Sequence, residues 1–186
     1  MSQKASLQPM PSFKAGMRKL WSDHVIWTRQ YITSAVADSP DTNSAAGRLL
    51  KNQEHIGNAV VPFYGETAGA ALTNLLKQHI MIAVELVAAA KSNNQTKFAE
   101  EDNKWTKNAE EIATFLSGAN PHWSKVDLVD LLGQHLSLTK RETVDRLTKN
   151  WEDDVKAFDD IFVEILTIAD ALSEGIIKQF PSKFQQ

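Results

Sequence analysis

The chain has 186 residues, 42% of them apolar and 23% charged, with a net charge of −3 and no cysteine. That size and balance suit one globular domain with a substantial core. The absence of cysteine removes disulfides, thiolate metal sites and thiol nucleophiles, so any metal must take nitrogen or oxygen ligands. No Lys/Arg-rich block supplies a field for nucleic acid or an anionic membrane, and no long uninterrupted apolar segment reads as a leader or span. The expectation is a soluble cytoplasmic protein.

Residues 1–12, with Pro9 and Pro11, read as a flexible arm. Phe13, Met17, Leu20, His24, Trp27 and Tyr31 then recur at spacings of three and four, which predicts a first helix with His24 in mid-stripe. A break at Asp38-Ser39-Pro40-Asp41 offers Ser39 as the cap of a second helix, which carries Leu49, Asn52 and Ile56 and ends at Pro62-Phe63-Tyr64-Gly65. A third, alanine-rich helix spans about 66–92 with His79 central. After Ser92-Asn93-Asn94-Gln95 a fourth aligns Trp105, Asn108, Ile112 and Phe115, and Gly118-Ala119-Asn120-Pro121 stops it. Ser124 with Asp127 starts a fifth helix through His135. Thr139 with Glu142 fits a capping box for a sixth, running to about Lys178 and leaving 181–186 as a tail. No stretch alternates with period two. The fold class is all-α, an up-and-down bundle of about six helices occupying residues 13–180.

One phrase occurs three times: Leu20-Trp21-Ser22-Asp23-His24-Val25, Leu75-Leu76-Lys77-Gln78-His79-Ile80 and Leu131-Leu132-Gly133-Gln134-His135-Leu136. The histidines stand 55 and 56 residues apart, the mark of an internally repeated helical hairpin. A second phrase, Lys51-Asn52, Lys107-Asn108 and Lys149-Asn150, aligns with it in the first two copies. In the third, Asn150 follows its histidine by only 15 residues, which implies a shortened connection there.

His24, His79 and His135 are the candidate metal ligands, because neutral imidazoles suit zinc, copper, iron or nickel and bundles build such sites from inward side chains. The alternative is that each histidine bonds a neighbouring carbonyl or carboxylate and packs. Asn52, Asn108 and Asn150 are candidates to orient the imidazoles or hold a polar ligand, against the alternative of helix caps. Asp154, which stands where the other copies have Ile56 and Ile112, is the carboxylate expected to face inward. His55 and His122 fall outside the phrase and read as surface or loop residues. The five tryptophans read as core anchors rather than a stacking platform.

No paired Glu-x-x-His, His-Glu-x-x-His, Gly-x-Ser-x-Gly, phosphate-cradling loop or dinucleotide fingerprint is present. The phrases Leu20-Trp21-x-x-His24-Val25-x-Trp27-Thr28-Arg29, Pro62-Phe63-Tyr64-Gly65, Asn120-Pro121-x-Trp123, His135-Leu136-x-Leu138-Thr139 and Gly175-Ile176-x-Lys178-Gln179-Phe180 resemble a group of small helical proteins from Gram-positive bacteria. Some of that group carry labels such as glycosyltransferase or acetylglutamate kinase. The resemblance covers nearly the whole chain after the arm and implies a compact helical fold. The enzyme labels do not transfer, since both need a nucleotide-binding α/β framework.

The leading expectation is a non-catalytic bundle that binds a transition metal or a small polar ligand through His24, His79 and His135, supported by Asn52, Asn108, Asn150 and Asp154. Affinity should then fall near pH 6 as the histidines protonate. The rival is a structural or interaction scaffold, self-associating through apolar helix faces, whose histidines are core hydrogen bonders. An enzyme with an open metal position ranks third.

Overall fold

The computed structural model describes residues 7–185. Five α-helices account for almost all of them: α1 (Met10–Val36), α2 (Thr42–Lys91), α3 (Gln95–Ala119), α4 (Lys125–Leu147) and α5 (Trp151–Gln179). A single 3₁₀ turn, Pro181–Lys183, follows. Each helix packs on its neighbours in sequence, and α1 also packs on α5, which closes the bundle into a ring.

The helices number five rather than six. The second and third expected helices form one element, α2, with an internal break at Gly65 (φ 83°, ψ 167°), a conformation that side-chain-bearing residues rarely adopt. Pro62, three residues earlier, withholds one backbone donor as well. The break turns α2 back on itself. A Cβ on Gly57 would stand 2.6 Å from the Gly69 carbonyl oxygen, whereas twelve residues of straight helix would separate these positions by ~18 Å.

At the other end of the chain the expected boundary moves. Thr139 and Glu142 are not a capping box but buried residues inside α4, where the Thr139 hydroxyl donates to the His135 carbonyl at 2.9 Å. The buried row Leu128, Leu132, His135, Thr139 and Thr143 stays in helical phase across that point, so burial carries the helix through it. The chain turns instead at Thr148-Lys149-Asn150. Lys149 has φ 62° there and the Asn150 amide donates back to the Asp145 carbonyl at 2.9 Å. Asp38 and Asn93 occupy the same left-handed conformation, with Ser39 bonded to Ser34 and Asn94 to Ala89 in the same pattern. The three turns lie at the same 55- and 56-residue offsets as the histidines.

The expected arm and tail are partly built into the fold. Pro11 falls in the first turn of α1, where a missing N–H costs nothing. Strand β1 (Gln8–Pro9) pairs in parallel with β2 (Phe184–Gln185), and Phe184 is buried against Phe13 and Phe63. Residues 1–6 of the expected arm lie outside the described residues. By length and composition α2 is apolar enough to cross a bilayer, and the same helix buries Asn52, Gln53 and His79 among core side chains.

The signature phrases of the loops meet at one end of the bundle. Asn120 Nδ2 donates to the Tyr64 hydroxyl at 2.9 Å, which donates to Gln179 Oε1 at 2.7 Å, and Gln179 Nε2 donates to the Ala119 carbonyl at 3.1 Å. Phe180 meets Tyr64 edge-on at 5.3 Å. Trp123 lies flat against Gly175 and donates its indole N–H to the Ala171 carbonyl at 3.3 Å. A Cβ at position 175 would come within 2.0 Å of the Trp123 ring nitrogen. Gly175→Ala is therefore expected to destabilise the fold by about 1–3 kcal/mol, despite the better helix propensity of alanine. Gly133→Ala on exposed α4, where a Cβ meets nothing within 4 Å, is expected to stabilise by up to ~1 kcal/mol. Urea denaturation of both variants checks the pair.

Candidate functional site

The core divides into a large apolar cluster, to which Trp21, Leu76 and Leu132 belong, and a smaller one built on Tyr31, Leu49 and Ile80. Between them lies a polar layer. His24 on α1, His79 on the second half of α2 and His135 on α4 are 3%, 3% and 4% exposed, and they converge. Ring centroids are 5.5 Å apart for His24 and His135, 6.3 Å for His79 and His135, and 6.4 Å for His24 and His79. Together with Thr28, Thr139 and Thr143 they line a cavity of about 20 Å³, room for one water-sized occupant. Trp105 stacks obliquely on His79 at 5.1 Å and Trp21 meets His24 edge-on at 5.8 Å.

Each imidazole is held through Nδ1 by the residue 29 positions downstream. His24 faces Gln53 Nε2 at 3.2 Å, His79 faces Asn108 Oδ1 at 2.9 Å, and His135 faces Glu164 Oε2 at 3.0 Å. The pairs fall on α1 with the first half of α2, the second half of α2 with α3, and α4 with α5. Nδ1 is thus engaged in every ring.

Asn108 is mid-helix and buried, and its Nδ2 also donates to the Leu75 carbonyl at 3.1 Å. Asn52 makes the matching bond to the Leu20 carbonyl at 3.0 Å but does not reach the histidine; Gln53 beside it does. Asn150 is not in the site. It is the exposed N-cap of α5 and its amide bonds Asp153, because the third hairpin turn falls there and no connection is shortened. By offset it matches Asn94, the N-cap of α3, while the place of Asn108 is taken by Glu164. Glu164 shares no local phrase with Asn108, so repetition of the phrase does not point to it. The available signal was a glutamate inside the apolar row Ala157, Ile161, Ile165 and Ile168 of α5.

Asp154 is 1% exposed but belongs to a neighbouring ion network rather than to the histidine cavity. Arg29 grips both its oxygens at 3.0 Å and also bonds Glu142, while Arg146 reaches Asp154 at 3.1 Å. His122 is exposed and His55 half-buried. Trp105 and Trp123 are core anchors, whereas Trp151 is half exposed under Arg146.

Burial, followed by the neighbouring histidines, holds His24 well below the usual imidazole range; burial, followed by His135, takes His79 down to about 3. Both rings are therefore neutral far below the pH 6 at which the sequence suggested protonation. Glu142 moves the other way. Burial pushes its carboxyl up to about 7, although Arg29 pulls it down. Among the described residues no group of three or more His, Cys, Asp or Glu side chains, the three histidines included, is placed so that it could hold a metal ion as it stands. Comparison with protein-family models, with curated proteins and with solved structures finds no match to this chain.

These shifts set opposing pH dependences. As pH falls through about 6.5 the unfolded chain takes up protons at His24 and His79 that the native state, with both groups lowered, resists. Over the same range the native state keeps one proton on Glu142 that the unfolded chain releases. The two histidines together outweigh Glu142, so these groups lower stability on acidification, by on the order of 1 kcal/mol per pH unit near pH 5.5. Glu142→Gln removes the opposing proton and is expected to roughly double that loss per pH unit. Urea unfolding of metal-free protein at several pH values measures both slopes.

Proposed function

We propose that the histidine layer is a binding site for one transition metal ion, taken up by Nε2 of His24, His79 and His135, and that the protein is a binding rather than a catalytic bundle. The observation that carries this reading is the convergence of three buried imidazoles, two of which, His79 and His135, meet acceptor oxygens of Asn108 and Glu164 at Nδ1. Metal-ligating histidines characteristically donate their other ring N–H to such an acceptor, which sets ring orientation and basicity. Three imidazoles on one ion at ~2.1 Å would bring the centroids to about 5.5 Å. One pair already stands at 5.5 Å, and the other two need to close by less than 1 Å. An all-nitrogen set suits zinc, copper, iron or nickel. The recurrence of histidine, partner and turn at offsets of 55 and 56 residues supports descent from a triplicated helical hairpin. The site is buried, which suits storage or structural binding, and cytoplasmic residence fits the cysteine-free chain.

A second reading is favoured by the two wider separations. In it the histidines are core hydrogen bonders of an interaction scaffold, and the cavity holds one water. Elemental analysis of untagged protein purified without chelator, followed by titration with zinc, copper, iron and nickel, separates the two. The metal reading expects about one ion per chain, with binding lost in His79→Asn and in His135→Asn, each checked for helicity by circular dichroism. Protein that is metal-free and takes up none of the four ions would leave the scaffold as the account of this chain.

A further inference from the structure

Two of the three histidine partners present an oxygen and one presents a nitrogen. Asn108 donates through Nδ2 to the Leu75 carbonyl, so its Oδ1 is the atom that faces His79, and the proton of His79 must lie on Nδ1. Glu164 likewise offers a carboxylate oxygen to Nδ1 of His135. Gln53 is different. Its Nε2 is pinned by two acceptors, the Leu49 carbonyl at 2.8 Å and Asn52 Oδ1 at 3.1 Å, and Asn52 is itself fixed by donation to the Leu20 carbonyl. The same NH₂ group meets Nδ1 of His24 at 3.2 Å, while Gln53 Oε1 is buried with no partner. Turning the amide over would set its oxygen against two other oxygens. The NH₂ group meets three acceptors with two hydrogens, so one hydrogen is shared, and because an amide nitrogen cannot accept, Nδ1 of His24 carries the lone pair and Nε2 the proton.

We infer that Gln53 is a positioning residue that holds His24 in the opposite tautomer to His79 and His135, and so limits the affinity of the cluster for a metal ion. Two lone pairs, on Nε2 of His79 and His135, are ready for a cation. The third becomes free only when the Gln53 amide rotates to give Oε1 to Nδ1, which breaks its bonds to Leu49 and Asn52. The consequence for affinity rests on the metal-binding reading; the tautomers rest on the hydrogen bonds alone.

Long-range proton–nitrogen correlation spectra of the imidazoles, on protein dialysed against chelator, test the tautomers directly. The expected result is Nε2–H for His24 and Nδ1–H for His79 and His135; one shared tautomer in all three rings overturns the inference. Zinc affinity is then measured by competition with a chromogenic chelator for wild type, Gln53→Met and Gln53→Glu, each with and without His24→Ala. Methionine removes the opposing donor at similar volume, and glutamate copies the Glu164 arrangement. Because the glutamate faces the Leu49 and Asn52 oxygens, the methionine variant guards against loss of fold. Both substitutions are expected to raise affinity on the order of 10-fold, the scale of effects at groups that orient metal ligands. The gain should vanish in the His24→Ala background. Zinc bound by wild type with no gain in either variant, or a gain that survives His24→Ala, overturns the role of Gln53 while leaving the metal site intact. Absence of zinc binding in every protein overturns the metal reading, and with it the affinity claim, even where the spectra show the mixed tautomers.

Discussion

A buried imidazole has two ring nitrogens that must find partners or lose their solvation, and in this bundle three such rings share one layer. The bond at Nδ1 meets that requirement each time from the following helix, 29 residues on. Each such bond contributes only about 1 kcal/mol net, yet an orphaned partner would cost about 1–3 kcal/mol. The penalty for misalignment therefore fixes which face of α2, α3 and α5 turns inward more firmly than the apolar stripes can. A slip of one residue would move Asn108 or Glu164 about 100° around its helix and leave both partners unsatisfied.

The ion network of Arg29, Glu142, Asp154 and Arg146 lies beside this layer and obeys the same constraint with formal charges. Two guanidinium groups meet two carboxyl groups that are each 1% exposed. Such a network is satisfied as a unit, and removal of one member leaves a buried charge behind. Arg29 also lies 4.8 Å over the ring of Phe158, so its stem and plane are held as well as its charge. The raised carboxyl of Glu142 shows that burial outweighs the single arginine bonded to it. The histidine layer and this network thus load the same region of α4 with buried polar groups, His135, Thr139, Glu142 and Thr143.

The loop phrases do separate work. Tyr64, Asn120, Trp123, Gly175, Gln179 and Phe180 come from the α2 break, the α3–α4 loop and the end of α5, and they meet in one hydrogen-bonded aromatic corner. Their specificity is that of packing.

Helical periodicity, the breaks near Ser39, Gly65, Asn93 and Asn120 and the spacing of the three histidines were legible in the sequence because they depend on local spacing, whereas the turn at Thr148-Lys149-Asn150 was not. The all-α class follows from them. What spacing could not decide was the pairing across helices. Asn150 shares a local phrase with Asn52 and Asn108, yet it caps a helix in solvent, while Gln53 and Glu164 fill one role with different functional groups. A hydrogen bond asks only for an atom of the right polarity at the right place, so a scan for one residue type cannot find its partners. Likewise Thr139 and Glu142 have the local chemistry of a helix start, and only burial against α1 and α5 carries α4 through them. Tertiary packing decided those cases because it weighs a whole helix face, where the local signal weighs one turn.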